Sequence, residues 1–423
     1  MYTSYNLSQL RRMDKKRLLI ASLFILTCIV LGYALYRIFF APPSEIVRTP
    51  TPVPSVPIPN NQQFPSGGQA NERNGVSTQT QLPLAGGATG ETRTGSGEPI
   101  VPPVRQIFPE TVMSPTLSSA GGVQFYNADD GKFYRVGPDG KPQLLNDQVF
   151  YNVQHVTWSP VGNESILEYP DGTKIYYNFE TKKQATLPKH WEEFSFAPQG
   201  EKIAAKSIGF SPENRWLVIS NPDGTEVTPI AAMGDNAGKV QVNWSPNKQI
   251  VATSLTGESL GEDRQQVLMV GLHHENFRAL TVEGRDFRGL WSPNGKQIVY
   301  SVYSSANDYK PQLWIDNSDG DAIGSDRKLL DLNTWANKCS FADSRFLYCG
   351  VPDTLQTGAG FAPAVSDQTP DHLLKIDLQT GIKTEIPITD SAAHVIDSIV
   401  VSPDGKQLFF TDKTQSGLFQ VNL

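Results

Sequence analysis

Short apolar strand patterns recur along the C-terminal three quarters of the chain, each followed by a tight turn. The clearest copies are SIVVSPDGKQLFF near the C-terminus, GLWSPNGKQIVY from residue 289, VNWSPNKQIV from residue 242 and HVTWSPVGNESIL from residue 155. Proline presets the turn, and Asp-Gly or Asn-Gly closes it because these residues tolerate positive φ. Each copy therefore predicts a β-hairpin, with further turns and strands behind it.

Three weaker copies complete the series: EFSFAPQGEKIAA from residue 193, KCSFADSRFLYCG from residue 338 and TVMSPTLSSAGGVQF from residue 111. The equivalent points are Ser114, Ser159, Ala197, Ser245, Ser292, Ala342 and Ser402, at intervals of 45, 38, 48, 47, 50 and 60 residues. Such periods, with four strand patterns each, predict an all-β fold, a β-propeller of four-stranded antiparallel blades. Seven blades are predicted, and six or eight remain alternatives because the weak copies and the longest interval blur the count.

The last copy provides only three strands before the chain ends at Leu423. We predict that the segment from Pro99 to Arg105 supplies the missing fourth strand. This pairing would join both ends of the domain in one blade and remove the open sheet edges that invite aggregation.

The N-terminal region has a different pattern. Residues 1–17 carry a net charge of +4, and the 19 residues from Leu18 to Tyr36 are uncharged. At 1.5 Å per residue this run spans about 28 Å, close to the roughly 30 Å core of a bilayer. We predict a short basic cytoplasmic tail (1–17) and a transmembrane helix (18–40), with the membrane bound through Leu18 to Tyr36. The basic flank places the later residues outside, in the periplasm or at the cell surface. A secretory signal and a lipid anchor at Cys28 are the alternatives.

Residues 41–104 show no periodicity and are rich in Pro, Gly and Ser. Alternating prolines at Pro50, Pro52 and Pro54 favour extended polyproline II, and the later composition favours a flexible coil. The sequence therefore predicts a disordered linker between the membrane helix and a propeller spanning 105–423. A proline-binding partner is the alternative to a plain spacer.

The repeated W-S-P-x-G-K pattern resembles the propeller repeats of TolB-type proteins, a WD-repeat-like group, and of the prolyl oligopeptidase propeller. The resemblance covers about residues 105–423 and implies the fold far more than the function. The chain departs from TolB because a membrane anchor and a linker stand where that family has a small α/β domain. It departs from prolyl oligopeptidases because it lacks an α/β-hydrolase domain.

Composition narrows the function classes. The 423 residues carry a net charge of -7, which argues against nucleic acid as a partner. Three cysteines are too few for a disulfide scaffold. Cys339 and Cys349 are symmetric about a turn near residue 344 and are expected to face one another on adjacent strands. A disulfide and a pair of buried thiols are both open.

Several motifs resemble catalytic or ligand sites. Gly257 to Gly261 matches G-x-S-x-G, but Ser259 is followed by a strand pattern where a nucleophile elbow needs a helix. Gly234 to Lys239 resembles a phosphate loop but is one residue short and lacks the final Ser or Thr. The acidic run Asp316, Asp319, Asp321, Asp326 has the wrong spacing for a calcium loop, and the six histidines show no paired metal spacing. We therefore predict no catalytic residue, no metal and no cofactor.

Binding is expected on the face formed by the blade connections and the loops between second and third strands. Its long loops are Leu255–Gln265, Ser304–Lys310 and Val351–Asp371. Aromatic and arginine side chains dominate binding hot spots, so the predicted binding residues are Trp191, Arg285, Asp286, Tyr309 and Trp335. The alternative for both tryptophans is packing between blades.

The leading functional hypothesis is an extracytoplasmic scaffold that binds another envelope protein or a cell-wall component. The alternative is an extracellular hydrolase or lyase that acts on glycan or peptide at the axial face.

Overall fold

A computed structural model describes residues 24–31, 104–118, 121–137, 139–261, 263–388 and 392–423 of the chain. The chain divides into two units, Met1–Thr92 and Arg93–Leu423. In the first unit, residues 24–31 form an α-helix with exposed side chains. No helix within the described ranges is long and apolar enough to cross a membrane. The rest of the predicted transmembrane segment and most of the predicted linker lie outside these ranges.

The second unit is a seven-bladed propeller, in which the first strands of most neighbouring blades contact one another around the axis. From the axis outward the blades are: blade 1, β2 (Val112–Leu117), β3 (Val123–Asn127), β4 (Lys132–Val136), β5 (Pro142–Leu144); blade 2, β6 (His155–Trp158), β7 (Glu164–Glu168), β8 (Lys174–Asn178), β9 (Gln184–Leu187); blade 3, β10 (Trp191–Phe196), β11 (Ile203–Ile208), β12 (Arg215–Ser220), β13 (Thr228–Ala232); blade 4, β14 (Val240–Val242), β15 (Ala252–Ser254), β17 (Arg264–Val270), with β16 (Ser259–Gly261) and β18 (Leu280–Val282) both paired to β17; blade 5, β19 (Arg285–Trp291), β20 (Gln297–Tyr303), β21 (Pro311–Asn317), β22 (Lys328–Leu329); blade 6, β23 (Cys339–Phe341), β24 (Phe346–Pro352), β25 (Asp371–Asp377), β26 (Lys383–Ile386); blade 7, β27 (Ile396–Val401), β28 (Gln407–Asp412), β29 (Leu418–Asn422), β1 (Arg105–Phe108).

Short 3-10 helices occupy several connections: Pro212–Asn214, Gly234–Lys239, Ser305–Asn307, Gly320–Ala322, Ala336–Lys338, Ala359–Phe361 and Pro363–Ser366. All strand pairs are antiparallel, including the pair that closes the ring. The predicted all-β fold and the preferred blade count of seven are confirmed.

The S-P-x-G-K repeat makes its turn through side-chain hydrogen bonds. In the last blade, the Ser402 hydroxyl donates to Asp404 Oδ1 at 2.6 Å and accepts the amide of Gln407 at 2.9 Å. Asp404 Oδ1 also accepts the amide of Lys406 at 3.1 Å. The same set recurs at Ser245 with Asn247 and at Ser292 with Asn294. Short polar side chains that bind the backbone of a turn explain why Ser and Asp or Asn recur at these positions.

The tryptophan before the turn joins neighbouring blades. The Trp158 indole N–H donates to the Ser114 carbonyl at 2.8 Å, and the Trp291 indole N–H donates to the Asn243 carbonyl at 3.1 Å. Ser114 lies on β2, and Asn243 directly follows β14, so both acceptors belong to the preceding blade. In these two blades the ring fills the gap between two sheets while its polar group is satisfied. The equivalent Trp244 is buried as well, but its indole nitrogen has no hydrogen-bond partner among the described residues.

The equivalence proposed for the first blade is wrong by four residues. In each of the other copies a backbone amide at the equivalent point closes the turn, as Ser159 does with the Glu164 carbonyl. In blade 1 this role falls to Ser118, whose amide donates to the Gly122 carbonyl at 2.8 Å. Ser114 instead sits inside β2 at a bulge, with a φ of 49°. Its Ser-Pro dipeptide imitates the turn sequence without forming the turn.

The ring closes between the two ends of the domain. Strand β1 pairs with β29, with Arg105 opposite Gln420 and Phe108 opposite Leu418. The predicted closing segment ended at Arg105, so the observed strand begins where the prediction ended. Phe108 is buried and packs its ring against Phe125 and Tyr134, with centroids 4.9 and 5.1 Å away. The closing strand therefore also contributes to the interface between blades 7 and 1.

Cys339 and Cys349 are direct partners on β23 and β24 and form a disulfide, with their Cα atoms 4.1 Å apart. Of the two alternatives left by the sequence, the structure contains the bridge. Both residues are buried among Val299, Ile315 and Leu347. The bridge therefore links the two innermost strands of blade 6.

Replacing both Cys339 and Cys349 by alanine should lower the free energy of unfolding by roughly 2–3 kcal/mol, because a short cross-linked loop restricts the unfolded chain. Denaturant titration with and without reductant measures this difference. Replacement of Cys28 by serine is the matched control and should change nothing. In guanidinium, one thiol per chain should react before reduction and all three cysteines after it. Three reactive thiols before reduction would contradict the bridge.

Candidate partner-binding face

One end of the propeller, which we call the loop face, is built from the blade connections and the turns between second and third strands. Four aromatic side chains are markedly exposed among the described residues of the propeller: Tyr151, Phe210, Trp216 and Phe361, at 68, 100, 37 and 58%. Tyr151, Phe210 and Phe361 lie in loop-face connections, and Trp216 is the second residue of a strand that starts there. Exposed aromatic side chains gathered on one surface are typical of binding sites.

Three neighbouring loops on this face contact one another, and together we call them the loop wall. Its members are residues 259–261 and 263–264 of blade 4, 304–310 of blade 5 and 353–370 of blade 6. Blade 4 departs from the regular pattern here, because β16 and β17 extend its middle strands into a protruding hairpin.

Asp263, at the tip of that hairpin, joins the first two loops. Its carboxylate accepts the Ser305 amide at 3.1 Å and an Arg285 guanidinium nitrogen lies 2.8 Å away. The Ser305 amide, with help from Arg285, holds the pKa of Asp263 below its usual range. The carboxylate is therefore ionised at neutral pH. Most of the Arg285 side chain remains exposed to solvent although its guanidinium contacts this carboxylate.

The blade 6 loop is fixed to the blade 5 loop by an aromatic cluster. Phe361 lies with its ring centroid 4.7 Å from Tyr303 and 5.0 Å from Tyr309. The amides of Gly358 and Gly360 donate to the carbonyls of Asp308 and Tyr309, each at 2.8 Å. A Cβ on Gly360 would lie 2.5 Å from Tyr303 Cβ, so the absence of a side chain there permits this close approach.

The predicted binding residues separate into three groups. Arg285 and Tyr309 both belong to the loop wall or contact it, and both reach its surface. Asp286 follows Arg285 at a bulge with a φ of 56° and pairs with Arg288 at 2.8 Å. The exposure expected of Trp191 and Trp335 is wrong, since each is only 3% exposed.

Both tryptophans are turned inward by the connections that carry them. Trp191 packs with Ile166, Leu187 and Phe194 between blades 2 and 3. Trp335 precedes a 3-10 helix and lines a crevice of about 30 Å³ beside Arg288 and Lys413. This burial fits the alternative role of packing between blades. Trp191 fills an apolar gap, whereas Trp335 is buried beside charged side chains.

Sequence reasoning named the three long loops but not their central residues. Phe361 and Asp263 carry no motif, and the only signal for Phe361 is an aromatic residue inside a Gly-rich insert. Phe210 follows Gly209 in the turn between β11 and β12. The Arg215 side chain fixes this turn by donating to the carbonyls of Gly209 and Phe210 at 3.3 and 3.2 Å. Such a rigid turn holds the ring in solvent.

The motifs that resemble catalytic or ligand sites lie in ordinary hairpins and connections of the propeller. Ser259 is exposed on β16, which forms a hairpin with β17, and Gly234–Lys239 is a 3-10 helix that links blades 3 and 4. Asp316 is buried, and burial raises its pKa. No group of three His, Cys, Asp or Glu side chains within the described ranges is arranged to hold a metal ion.

A buried polar network lies beneath the blade 6 loop. Lys338 Nζ donates to both carboxylate oxygens of Asp371 at 2.7 Å, and the Ile396 amide donates to Asp371 Oδ2 at 2.7 Å. Nearby, the His394 ring lies 2.8 Å from Asp412 in a fully buried contact. These groups join blades 6 and 7 and support the loop face from below.

Comparisons with known proteins agree with the fold class. No protein-family model matches the chain, and no curated protein matches it in sequence. Among solved structures, a chain of the mitotic checkpoint complex superposes with a TM-score of 0.51 at 12% identity, covering 82% of this chain and 99% of that one. This level of similarity shows the fold alone. The class is therefore the seven-bladed β-propeller.

Two further solved structures are similar at lower scores. TolB from Acinetobacter baumannii gives a TM-score of 0.43 at 12% identity, covering 66% of this chain and 64% of TolB. The tricorn protease gives 0.49 at 9% identity over 76% of this chain. The chain spans about a third, 34%, of the tricorn protease chain.

Proposed function

We propose that the protein is a membrane-anchored, extracytoplasmic propeller whose loop wall binds another protein of the cell envelope or a component of the cell wall. The observation that carries this proposal is the concentration of exposed aromatic side chains on the loop face. The loop wall adds Arg285, exposed and next to an ionised carboxylate, to the Tyr309 and Phe361 rings. Aromatic and arginine side chains of this kind supply most of the binding energy in protein interfaces.

Two observations support the location. The apolar run from Leu18 to Tyr36, with its basic flank, favours a single-pass anchor in the cell membrane with the N-terminus in the cytoplasm. The Cys339–Cys349 bridge favours an oxidising compartment, because such bonds are rare in the cytosol. The propeller is then periplasmic or at the cell surface.

The experiment places a photo-activatable phenylalanine analogue at position 361 or 382 of the full-length protein in its native membrane. The two native side chains have similar exposure, 58% for Phe361 and 62% for Ile382, but Ile382 lies in a turn at the opposite end of blade 6. We expect a reproducible protein or cell-wall adduct from position 361 only. Equal labelling from both positions would rule out the loop wall as the docking site.

Alanine at Phe361 should weaken capture of the same adduct partner by about ten-fold or more, as truncation of an aromatic hot spot does. Alanine at Ile382 is the matched control and should leave capture unchanged. Thermal melting of both variants checks that the propeller is intact. Unaltered capture by the Phe361 variant would count against the proposal.

The enzyme alternative has one supporting feature. Glu168 lies opposite His155 at the loop-face end of β7, and burial raises the pKa of its carboxyl above the usual range, as suits a general acid. Release of a shortened glycan or peptide that is abolished by Glu168→Gln would favour a hydrolase or lyase over the scaffold. Turnover that survives this change would remove Glu168 from the alternative.

A further inference from the structure

A second surface on the loop face lies in blade 2 and at its connection to blade 1, away from the loop wall. It is an open groove of about 510 Å³, lined by Tyr151, Asn152, Tyr169, Pro170, Asp171, Thr173 and Ile175. Tyr151 and Asn152 belong to the connection between the blades, and the other residues belong to the turn between β7 and β8 and to the start of β8. The groove and the loop wall share no residue.

The apolar part of the groove consists of flat surfaces. Tyr151 is 68% exposed, Tyr169 is half-buried, and the Pro170 ring and the Ile175 side chain complete the lining. Strand β9 covers the outer edge of β8 with a regular ladder. Because β8 offers no free backbone edge here, a ligand must be recognised by side chains and not by strand addition.

The polar part offers one carboxylate and several donors. The Thr173 hydroxyl and amide donate to Asp171 at 2.7 and 2.9 Å, and with Lys189 they lower the pKa of Asp171 to about 2. The Lys189 contact is loose, at 3.3 Å, and both side chains are largely exposed. The phenol groups of Tyr151 and Tyr169 and the Asn152 amide are donors at the groove. A positive φ of 60° at Asn152 fixes the backbone beside Tyr151.

We propose that this groove binds a proline-rich segment of a partner protein that carries a basic residue. A polyproline II segment has no internal hydrogen bonds, so its carbonyls need donors, and its rigid rings pack on aromatic side chains at little entropic cost. The two tyrosines and Pro170 supply the apolar surfaces, and the phenol and amide groups supply the donors. Asp171, ionised and exposed, complements the basic residue. An amphipathic helix would need a longer continuous apolar trough than these side chains form.

Binding of a synthetic peptide to the full-length protein in detergent tests the proposal. The probe is acetyl-Arg-Ala-Pro-Pro-Ala-Pro-Pro-Ala-amide with a fluorescent label, read by anisotropy. The control peptides replace every proline by alanine, or the arginine by alanine. We expect a Kd of about 10–100 µM for the probe, ordinary for a short preordered peptide. The peptide without proline should bind at least about ten-fold more weakly.

Variants assign the contacts. Tyr151→Ala should lower the affinity for the probe about ten-fold, and it should leave folding unchanged because Tyr151 is exposed. Tyr169→Phe should lower the affinity less, because only the hydroxyl is lost. Asp171→Asn keeps an acceptor for Thr173, and it should weaken the arginine peptide about three-fold without affecting the peptide that lacks arginine. Tyr309→Ala, in the loop wall, is the matched control and should leave probe binding unchanged.

The results of these binding measurements test the groove proposal independently of the proposal for the loop wall. Equal affinity for the peptide without proline, unchanged binding by Tyr151→Ala, or no binding up to about 1 mM would each overturn the proposal. Sedimentation with lipid vesicles that depends on Tyr151 would reassign the groove to a membrane surface and also overturn it. Loss of probe binding in Tyr309→Ala would overturn the separation of the two surfaces.

Discussion

A chain that begins at Pro109 should melt at least about 10 °C below one that begins at Val104. The first lacks β1, so β29 keeps β28 but loses its second ladder partner. The side chains of Leu418 and Phe419, both buried in the closed ring, then lie at an open edge. Loss of the buried Phe108 ring alone is expected to reduce stability by about 3–5 kcal/mol. Each kcal/mol corresponds to roughly 2 °C in a domain of this size.

Differential scanning calorimetry of the two chains measures the shift. The chain that begins at Val104 is the matched control, because it lacks the N-terminal region but retains the closing strand, and it should melt at the temperature of the full-length propeller. The chain that begins at Pro109 should also aggregate at lower concentration through its free edge. Equal melting temperatures would show that blade 7 is stable with three strands and that closure by β1 is dispensable.

Replacement of Lys338 by methionine should lower the free energy of unfolding by about 3–5 kcal/mol at pH 7.5, because it leaves the Asp371 carboxylate buried without its counter-charge. Lys328→Met is the matched control. Lys328 makes a comparable contact to Asp326 at 2.8 Å, but both side chains are exposed, so the control should change stability by less than about 1 kcal/mol. Chemical denaturation of the three proteins gives the comparison.

The loss in Lys338→Met should shrink as the pH falls. Burial raises the pKa of Asp371 in the native protein, against the opposing effect of Lys338, so removal of Lys338 raises this pKa further. A folded-state pKa above the unfolded value means that the native state binds the proton more tightly, so native stability is higher below that pKa and lower above it. At pH 5 the variant should therefore regain part of the stability that it lacks at pH 7.5. A deficit that does not depend on pH would locate the effect in packing and not in charge.

The turn chemistry made the architecture readable from the sequence. Ser402 and Asp404 determine their hairpin through bonds to backbone groups within five residues, so the signal is local and repeats with the blade. The same locality misleads at Ser114, where a Ser-Pro dipeptide occurs inside a bulged strand and the true turn begins at Ser118. A motif that is defined by a few neighbouring residues cannot distinguish these cases, because the choice depends on which pairing with β3 buries Phe125.

The candidate site was harder to predict from the sequence, because its residues come from different blades and contact one another only in the folded protein. Asp263, Ser305 and Arg285 come from two blades, and Phe361 reaches Tyr303 and Tyr309 from a third loop. No spacing rule connects them, since the lengths of these inserts differ and their contacts form only after the blades are stacked. The burial of Trp191 and Trp335 had the same origin. A tryptophan in a blade connection can be exposed to solvent or buried in the gap between two blades. Which of these occurs depends on how the two neighbouring blades pack.

The closing pair also dictates the order of events in biosynthesis. Gln106, which donates to the Ser416 carbonyl, is separated from it by 310 positions along the chain. The chain is synthesised from its N-terminus, so β1 is available long before β29 has been made. The N-terminal strand therefore waits without its partner until β29 emerges. Completion of the ring follows the synthesis of blades 1 to 6, and a folding factor that assists it would recognise a nearly finished propeller in which β1 is unpaired and one edge of β29 is open.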